Sequence, residues 1–377
     1  MIVGVVGSGA MGSGIAQVAA MAGEEVRLFD KSSEATSKAI RNIQASINKL
    51  VEKEKMTSSE GVAVIGRIYL CDQLETLGDC DIVIEAVVED IAVKKDIFFA
   101  LEKLVSESCI LASNTSSISI TSIAASLNQP ERCIGVHFFN PPAMMKLVEI
   151  IPAIRTNQEI IAKTRRGVES WGKTVVVARD TPGFIVNKVA RPFYSEAIRM
   201  LEEGIADIET IDEAMISFGF KMGPFALMDF IGHDVNYRVT ESVWKSFYFD
   251  SRYKPSFTQL RLVEAGFLGR KSGRGFYNYA EKSESKPIEN HPTFQSIFIR
   301  IISMLINEAA DTVGQQICSV DDVEMAVKLG VNYPKGLLEW GNELGYVNVV
   351  RTLDDLFDTY HEERYRVCRY LRNLGKI

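Results

Sequence analysis

From residue 2 to residue 178 the chain alternates short apolar runs with longer stretches whose apolar residues recur at helical spacing. The runs at residues 2–7, 25–30, 81–87, 109–113, 133–138, 146–151 and 174–178 have strand length and are rich in Val and Ile. Helix-length segments lie between several of them, among them residues 10–22, 33–55 and 93–106. Strands alternating with helices predict a mostly parallel sheet with helices on both faces. The pattern changes at Asp180-Thr181-Pro182-Gly183, after which the strands stop and residues 184–374 read almost wholly as helices. The best single domain boundary therefore falls near residue 181. A polar stretch at 281–292, with two prolines and five charged residues, reads as a linker.

The helical part repeats itself. Ser195-Glu196-Ala197 opens a pattern that ends with Met222-Gly223-Pro224 and Gly232, and Asn307-Glu308-Ala309 opens a similar one ending with Lys335-Gly336-Leu337 and Gly345. The Glu-Ala pairs are 112 residues apart, and both pairs of glycines 113 apart. A near-constant offset of this kind marks a duplicated unit. The expected organisation is an α/β domain at 1–180, a helical domain at 181–280, and a second, degenerate helical copy at 293–377.

At 377 residues the chain is too long for one ordinary core. Its 46% hydrophobic and 24% charged residues are those of a globular protein. The net charge is −7 with no basic block, which argues against a nucleic-acid or membrane-surface partner. Cys71, Cys80, Cys109, Cys133, Cys318 and Cys368 form no CxxC pair, and three lie in or beside strand-like runs, as small buried hydrophobes do. No basic region precedes the first apolar run, and no uncharged run reaches membrane-spanning length, so a cytoplasmic location is expected.

Gly7-Ser8-Gly9-Ala10-Met11-Gly12 is a GxGxxG that follows a strand and opens a helix. Gly7 permits the tight turn, Gly9 leaves room for a pyrophosphate, and Gly12 lets helix and strand pack closely. The second strand ends in Asp30, where a carboxylate would accept from ribose hydroxyls and repel a 2′-phosphate. The alternative, that Asp30 caps the helix starting near Ser33, is weaker in this context. The fold expected is a Rossmann-type doubly wound α/β domain followed by an all-α domain in two copies, with NAD as cofactor.

His137 stands at a strand end before Phe138-Phe139-Asn140-Pro141-Pro142, and Glu149 lies within the next apolar run. A histidine there is more often a structural residue than a base. A glutamate inside an apolar strand is rarer, because a buried carboxylate needs a partner. A His–Glu pair would resolve both and fix which imidazole nitrogen faces a substrate.

The sequence resembles the 3-hydroxyacyl-CoA dehydrogenases of fatty-acid β-oxidation and their bacterial 3-hydroxybutyryl-CoA relatives. The resemblance runs from about residue 2 to 279. It is carried by the glycine fingerprint, Glu85-Ala86-Val87-Val88-Glu89, Ser113-Asn114-Thr115-Ser116-Ser117, residues 135–150, residues 180–187, Met222-Gly223-Pro224-Phe225 and Gly269-Arg270-Lys271-Ser272-Gly273. It implies NAD-dependent, reversible oxidation of an L-3-hydroxyacyl-CoA, with His137 as general base and Glu149 as its orienting partner. Ser116 and Asn187 match positions that bond the substrate oxygen. Glu89, Lys94, Ser116, Asn140 and Lys271 match positions around the nicotinamide half of NAD. Ser46 and Lys53 match positions that touch CoA, although Lys49, Lys53 and Lys55 could simply be a solvated helix face. No metal is expected. Lys188 replaces the family's usual Arg after the Asn, and Lys221 its common Pro, which bears on orientation or substrate range more than on activity. Two other readings stay open: a dehydrogenase of a small free hydroxy acid, and a non-catalytic NAD-binding protein on the same fold. The second helical copy is expected to pack on the first as a partner subunit would, which favours a monomer.

Overall fold

Valine- and isoleucine-rich runs bounded by turn residues build one eight-stranded sheet. Its strands are β1 (Ile2–Val6), β2 (Glu25–Phe29), β3 (Ile68–Cys71), β4 (Ile82–Glu85), β5 (Ile110–Ser113), β6 (Cys133–Phe138), β7 (Leu147–Pro152) and β8 (Thr174–Val177). The computed structural model describes residues 1–280 and 291–376, so the expected linker lies largely outside the described residues. The spatial order is β3-β2-β1-β4-β5-β6-β7-β8. Among the described residues every neighbouring pair is parallel except β6 and β7. The chain winds outward from β1 first through β2 and then, in the other direction, through β4. That reversal opens a crevice at the carboxyl ends of β1 and β4, where ligands of such sheets bind.

The helices of this unit are α1 (Ala10–Met21), α2 (Ser33–Glu52), α3 (Ser58–Gly66), α4 (Ile91–Leu104), α5 (Ile120–Ala124) and α6 (Gln158–Ser170). Ser32 caps α2, Asp90 caps α4, and Thr57 with Glu60 forms a capping box on α3. Strand β3 and helix α3 are additions to the sequence reading. Strand β3 is an edge strand of four residues, with Tyr69 and Leu70 exposed at its centre, so it lacks both the length and the alternation that mark a strand.

The chain divides into two compact units, Met1–Thr181 and Pro182–Ile377. The second is helical: α7 (Val186–Val189), α8 (Arg191–Glu202), α9 (Ile208–Ser217), α10 (Pro224–Ile231), α11 (His233–Ser246) and α12 (Phe257–Glu264). Then follow α13 (Phe294–Gly314), α14 (Val320–Gly330), α15 (Leu337–Leu344), α16 (Tyr346–Tyr360) and α17 (Arg369–Leu374). At the 112–113 offset, α9 to α12 recur as α14 to α17. Gly232 and Gly345, a matched pair, take φ of 97° and 79° where one helix turns directly into the next, a conformation that favours glycine. The second copy differs at its start. In the first, α7 and α8 are separate helices with Pro192 in the opening turn of α8, whereas α13 runs unbroken for 21 residues. Helix α13 is buried along most of its length and packs against α8 and α9 of the first copy. Both copies thus share one compact unit. No helix among the described residues is long and apolar enough to cross a membrane.

Candidate active site

The turn from β1 into α1 has the shape a dinucleotide needs. Gly7 has φ +98°, and its N–H donates to the Phe29 carbonyl at 2.8 Å. A Cβ on Gly12 would fall 1.8 Å from the Gly7 carbonyl oxygen, so only glycine allows α1 to approach the turn. A Cβ on Gly9 would meet nothing within 4 Å. There the backbone is open, which fits a pyrophosphate at the positive end of α1. Asp30 is tied into the same turn: its carboxylate accepts from the Ser8 N–H and hydroxyl at 2.8 and 2.9 Å and from the Ser32 N–H at 3.0 Å. Burial opposes ionisation of Asp30, but these donors outweigh it and hold the carboxyl below its ordinary range. The cap of α2 falls to Ser32.

The single antiparallel pair of the sheet places His137 directly across from Glu149. In such a register opposed side chains share a face. Their contact is His137 Nδ1 to Glu149 Oε2, 2.7 Å, with Glu149 fully buried. The strand end is fixed further by Asn114, whose Oδ1 accepts from the Phe138 N–H at 2.9 Å. Asn140 is exposed on the loop that follows. That loop is pinned by Lys173, whose ammonium donates to the carbonyls of Pro142 and Met145 at 2.6 and 2.9 Å. It also lies against α1: a Cβ on Gly14 would come within 2.7 Å of Pro142. Neither Gly14 nor Lys173 was assigned a role from sequence, since nothing local marks either residue.

A third cluster joins the ends of β4 and β5. Glu85 is fully buried and accepts from Lys94 Nζ, the Val87 N–H and the Ser113 hydroxyl, each at 2.7 Å. Lys94, itself 1% exposed, also lies 3.3 Å from Glu89. Glu89 gathers Thr115, the Ser117 hydroxyl at 2.9 Å and the Ser116 N–H at 3.2 Å. Burial would raise the Glu89 carboxyl, but Lys94 and the two hydroxyls hold it below its usual range. Glu89, Lys94 and Ser116, expected beside the nicotinamide, are therefore one connected group. Its hub is Glu89, and Lys94 ties it to Glu85, a residue to which the sequence alone assigns no role. The signal was present as a carboxylate at the end of an apolar strand with a lysine nine residues on.

The remaining candidates are placed separately. Ser46, half-buried on α2, accepts from Gln17 of α1 at 3.1 Å, and Lys53 is exposed at the end of α2. Asn187 and Lys271 belong to the second unit. Asn187 lies on α7, its carbonyl accepting from Arg191 Nε at 2.9 Å. Lys271 pairs with Asp234. Lys188 is fully buried and ion-paired to Glu308 and Asp311 of α13, while Lys221 is exposed. Burial pushes the Cys80 and Cys109 thiols up to about 12, as expected of small core residues.

A glycine turn at a sheet reversal, an acid at the second strand's end and a buried His–Glu pair define an NAD-dependent dehydrogenase. Residues 2–181 match the 3-hydroxyacyl-CoA dehydrogenase NAD-binding domain, and residues 183–279 and 297–377 match the C-terminal domain of the same enzymes. The chain is 37% identical to the 3-hydroxyadipyl-CoA dehydrogenase of Escherichia coli K12, over 98% of this chain and 96% of that one. It is 45% identical to a probable 3-hydroxybutyryl-CoA dehydrogenase of Bacillus subtilis, over 74% and 97%. A crystal structure of an E. coli K12 3-hydroxybutyryl-CoA dehydrogenase superposes with a TM-score of 0.95 at 36% identity, covering 100% of this chain and 98% of that one. The chain belongs to the 3-hydroxyacyl-CoA dehydrogenase family and is an NAD-dependent enzyme of that activity.

Proposed function

We propose that His137 is the general base of 3-hydroxyacyl-CoA oxidation and that Glu149 orients and supports it. The observation that carries this is the 2.7 Å contact between His137 Nδ1 and a fully buried Glu149. With Nδ1 engaged by the carboxylate, proton transfer falls to Nε2. His137 takes the proton of the 3-hydroxyl, and Glu149 stabilises the imidazolium that results. Ser116 and Asn187 hydrogen-bond the 3-oxygen as it becomes a carbonyl. The β1–α1 turn would hold the pyrophosphate of NAD and Asp30 its ribose, and the bound cofactor would supply the acceptor for the hydride that leaves C3. In the reducing direction His137 returns the proton to the oxygen. Ser46 and Lys53 are assigned to CoA, and Glu89, Lys94, Asn140 and Lys271 to the nicotinamide half of NAD.

The acyl group is proposed to be short. Relatives named for 3-hydroxybutyryl-CoA and 3-hydroxyadipyl-CoA support this, and the latter matches nearly the full length of the chain. We further assign the enzyme to the cytoplasm as a monomer, a state supported by the packing of α13 on α8 and α9. Substituting His137→Gln tests the central reading. Turnover of acetoacetyl-CoA with NADH should fall ~10²–10⁴-fold while NAD binding is kept. A variant retaining more than about a tenth of kcat would move the base elsewhere.

A further inference from the structure

The second helical repeat reaches the residue next to Asn187. Lys188 is fully buried, and its ammonium donates to Glu308, to Asp311 Oδ2 at 3.2 Å and to Thr312 Oγ1 at 3.0 Å, all on α13. The Tyr253 hydroxyl donates to the same Glu308 oxygen, and Arg252 lies 3.2 Å from Asp311.

The arrangement occurs a second time with the repeats exchanged. At an offset of 112, Lys188 corresponds to Arg300, Glu308 to Glu196 and Tyr253 to Tyr365. Arg300 Nε donates to Glu196 Oε1 at 2.6 Å, and the Tyr365 hydroxyl donates to that oxygen at 2.8 Å. Each link is a buried cation on one repeat held by a glutamate of the other, and that glutamate also accepts from a tyrosine. What differs is the residue before the cation: Asn187 in one case, Ile299 in the other. The backbone differs too. Arg300 sits inside the 21 residues of α13, whereas Lys188 belongs to the four-residue helix α7. So short a helix has too few internal hydrogen bonds to fix its own geometry, so its side-chain anchors must do so.

We propose that Glu308 is a positioning residue for the reaction: by holding Lys188, it sets α7 so that the Asn187 amide meets the substrate's 3-oxygen. The first repeat's half of the active site is then completed by α13 of the second. The proposal rests on the assignment of Asn187 made above. It explains why the cation after the Asn points into the unit rather than toward solvent. It also explains why the second repeat keeps its glutamate while lacking an Asn of its own. An amide that stabilises developing charge must be held to a fraction of an ångström, so loosening its anchor lowers the rate without removing any group that touches substrate.

The mirrored link is the control. Glu308→Gln and Glu196→Gln each remove one buried charge at equivalent places, but only the first lies behind Asn187. Glu308→Gln is expected to lower kcat with acetoacetyl-CoA about tenfold, within the range that couplings through packed networks produce. KM for NADH should not change, because Lys188 and Glu308 bond Asp311, Thr312 and Tyr253, none of which is assigned to the cofactor. Glu196→Gln is expected to lose comparable thermal stability and keep kcat within about twofold. Lys188→Arg, which keeps the charge, should retain most activity, and Asn187→Ala run alongside should lose it. Equal losses of kcat in the two glutamine variants, compared at equal fraction folded, would show a purely structural role and overturn the proposal. So would an unchanged Glu308→Gln beside an impaired Asn187→Ala. If Asn187→Ala itself is unimpaired, the assignment of Asn187 falls first and this proposal with it. Should Glu308→Gln not fold, Glu308→Asp withdraws the charge by one methylene and carries the same expectation at smaller size.

Discussion

Replacing Glu149 by Gln keeps the volume of the side chain and a hydrogen-bond acceptor, and removes only its charge. The carboxylate oxygen lies 2.7 Å from His137 Nδ1 in a fully buried setting. With charge centres about 4 Å apart and an effective dielectric of about 20, the attraction to an imidazolium is about 4 kcal/mol. The imidazole carries part of that charge in the transition state, so about half to all of it, roughly 2–4 kcal/mol, is lost from the barrier side. That is a fall in kcat of roughly 30- to 1,000-fold. The assay is NADH consumption with acetoacetyl-CoA, beside NADH binding followed by nicotinamide fluorescence. Binding should be unchanged, because the cofactor turn is built on β1, α1 and Asp30. A Gln variant that keeps more than about a tenth of wild-type kcat would refute the electrostatic role assigned to Glu149.

Asp30→Ala should weaken NAD binding and relax discrimination against NADP; a wild-type enzyme with higher kcat/KM for NADP would remove Asp30 from the ribose. The folded-state pKa of Asp30 is depressed. Its contribution to stability and ribose binding is thus present above the ordinary carboxylate range and lost only as pH falls through the lower folded value. The NAD-over-NADP preference should accordingly hold from neutral pH down to about pH 5. Light scattering should find the full chain monomeric, whereas a chain truncated at residue 280 should dimerise or aggregate through the surface α13 covers. A full-length dimer beside a well-behaved truncated monomer contradicts that expectation.

The middle of the parallel sheet was legible because β1, β4 and β5 are buried on both faces and read as largely apolar runs, with glycines marking the nucleotide turn. Strand β3 was not, since an edge strand of four residues with an exposed centre has no periodic signature. The His137–Glu149 pair could be anticipated from a charge inside an apolar run. Its register could not, because an antiparallel return within a parallel sheet is a tertiary fact. The Glu85–Lys94–Glu89 cluster was half visible: the motif was recognised, but that Lys94 would be buried between two carboxylates depends on how α4 packs against the ends of β4 and β5. For Lys188 the sequence places a cation beside the site, bearing on orientation or range. Its partners could not be read there, because they lie on α13, more than a hundred residues away along the chain.

Two identical subunits facing each other across a two-fold axis must carry the same residue on both halves of the contact. Any change there is made twice, and a useful asymmetry is out of reach. A repeat held within one chain escapes that constraint. Positions 188 and 300 hold Lys and Arg, positions 199 and 311 hold Arg and Asp, and positions 187 and 299 hold Asn and Ile. The opposite charges at 199 and 311 could not arise in a symmetric pair. Fusion thus allows one half of the contact to specialise in chemistry and the other in support, each free to drift without dragging its counterpart along.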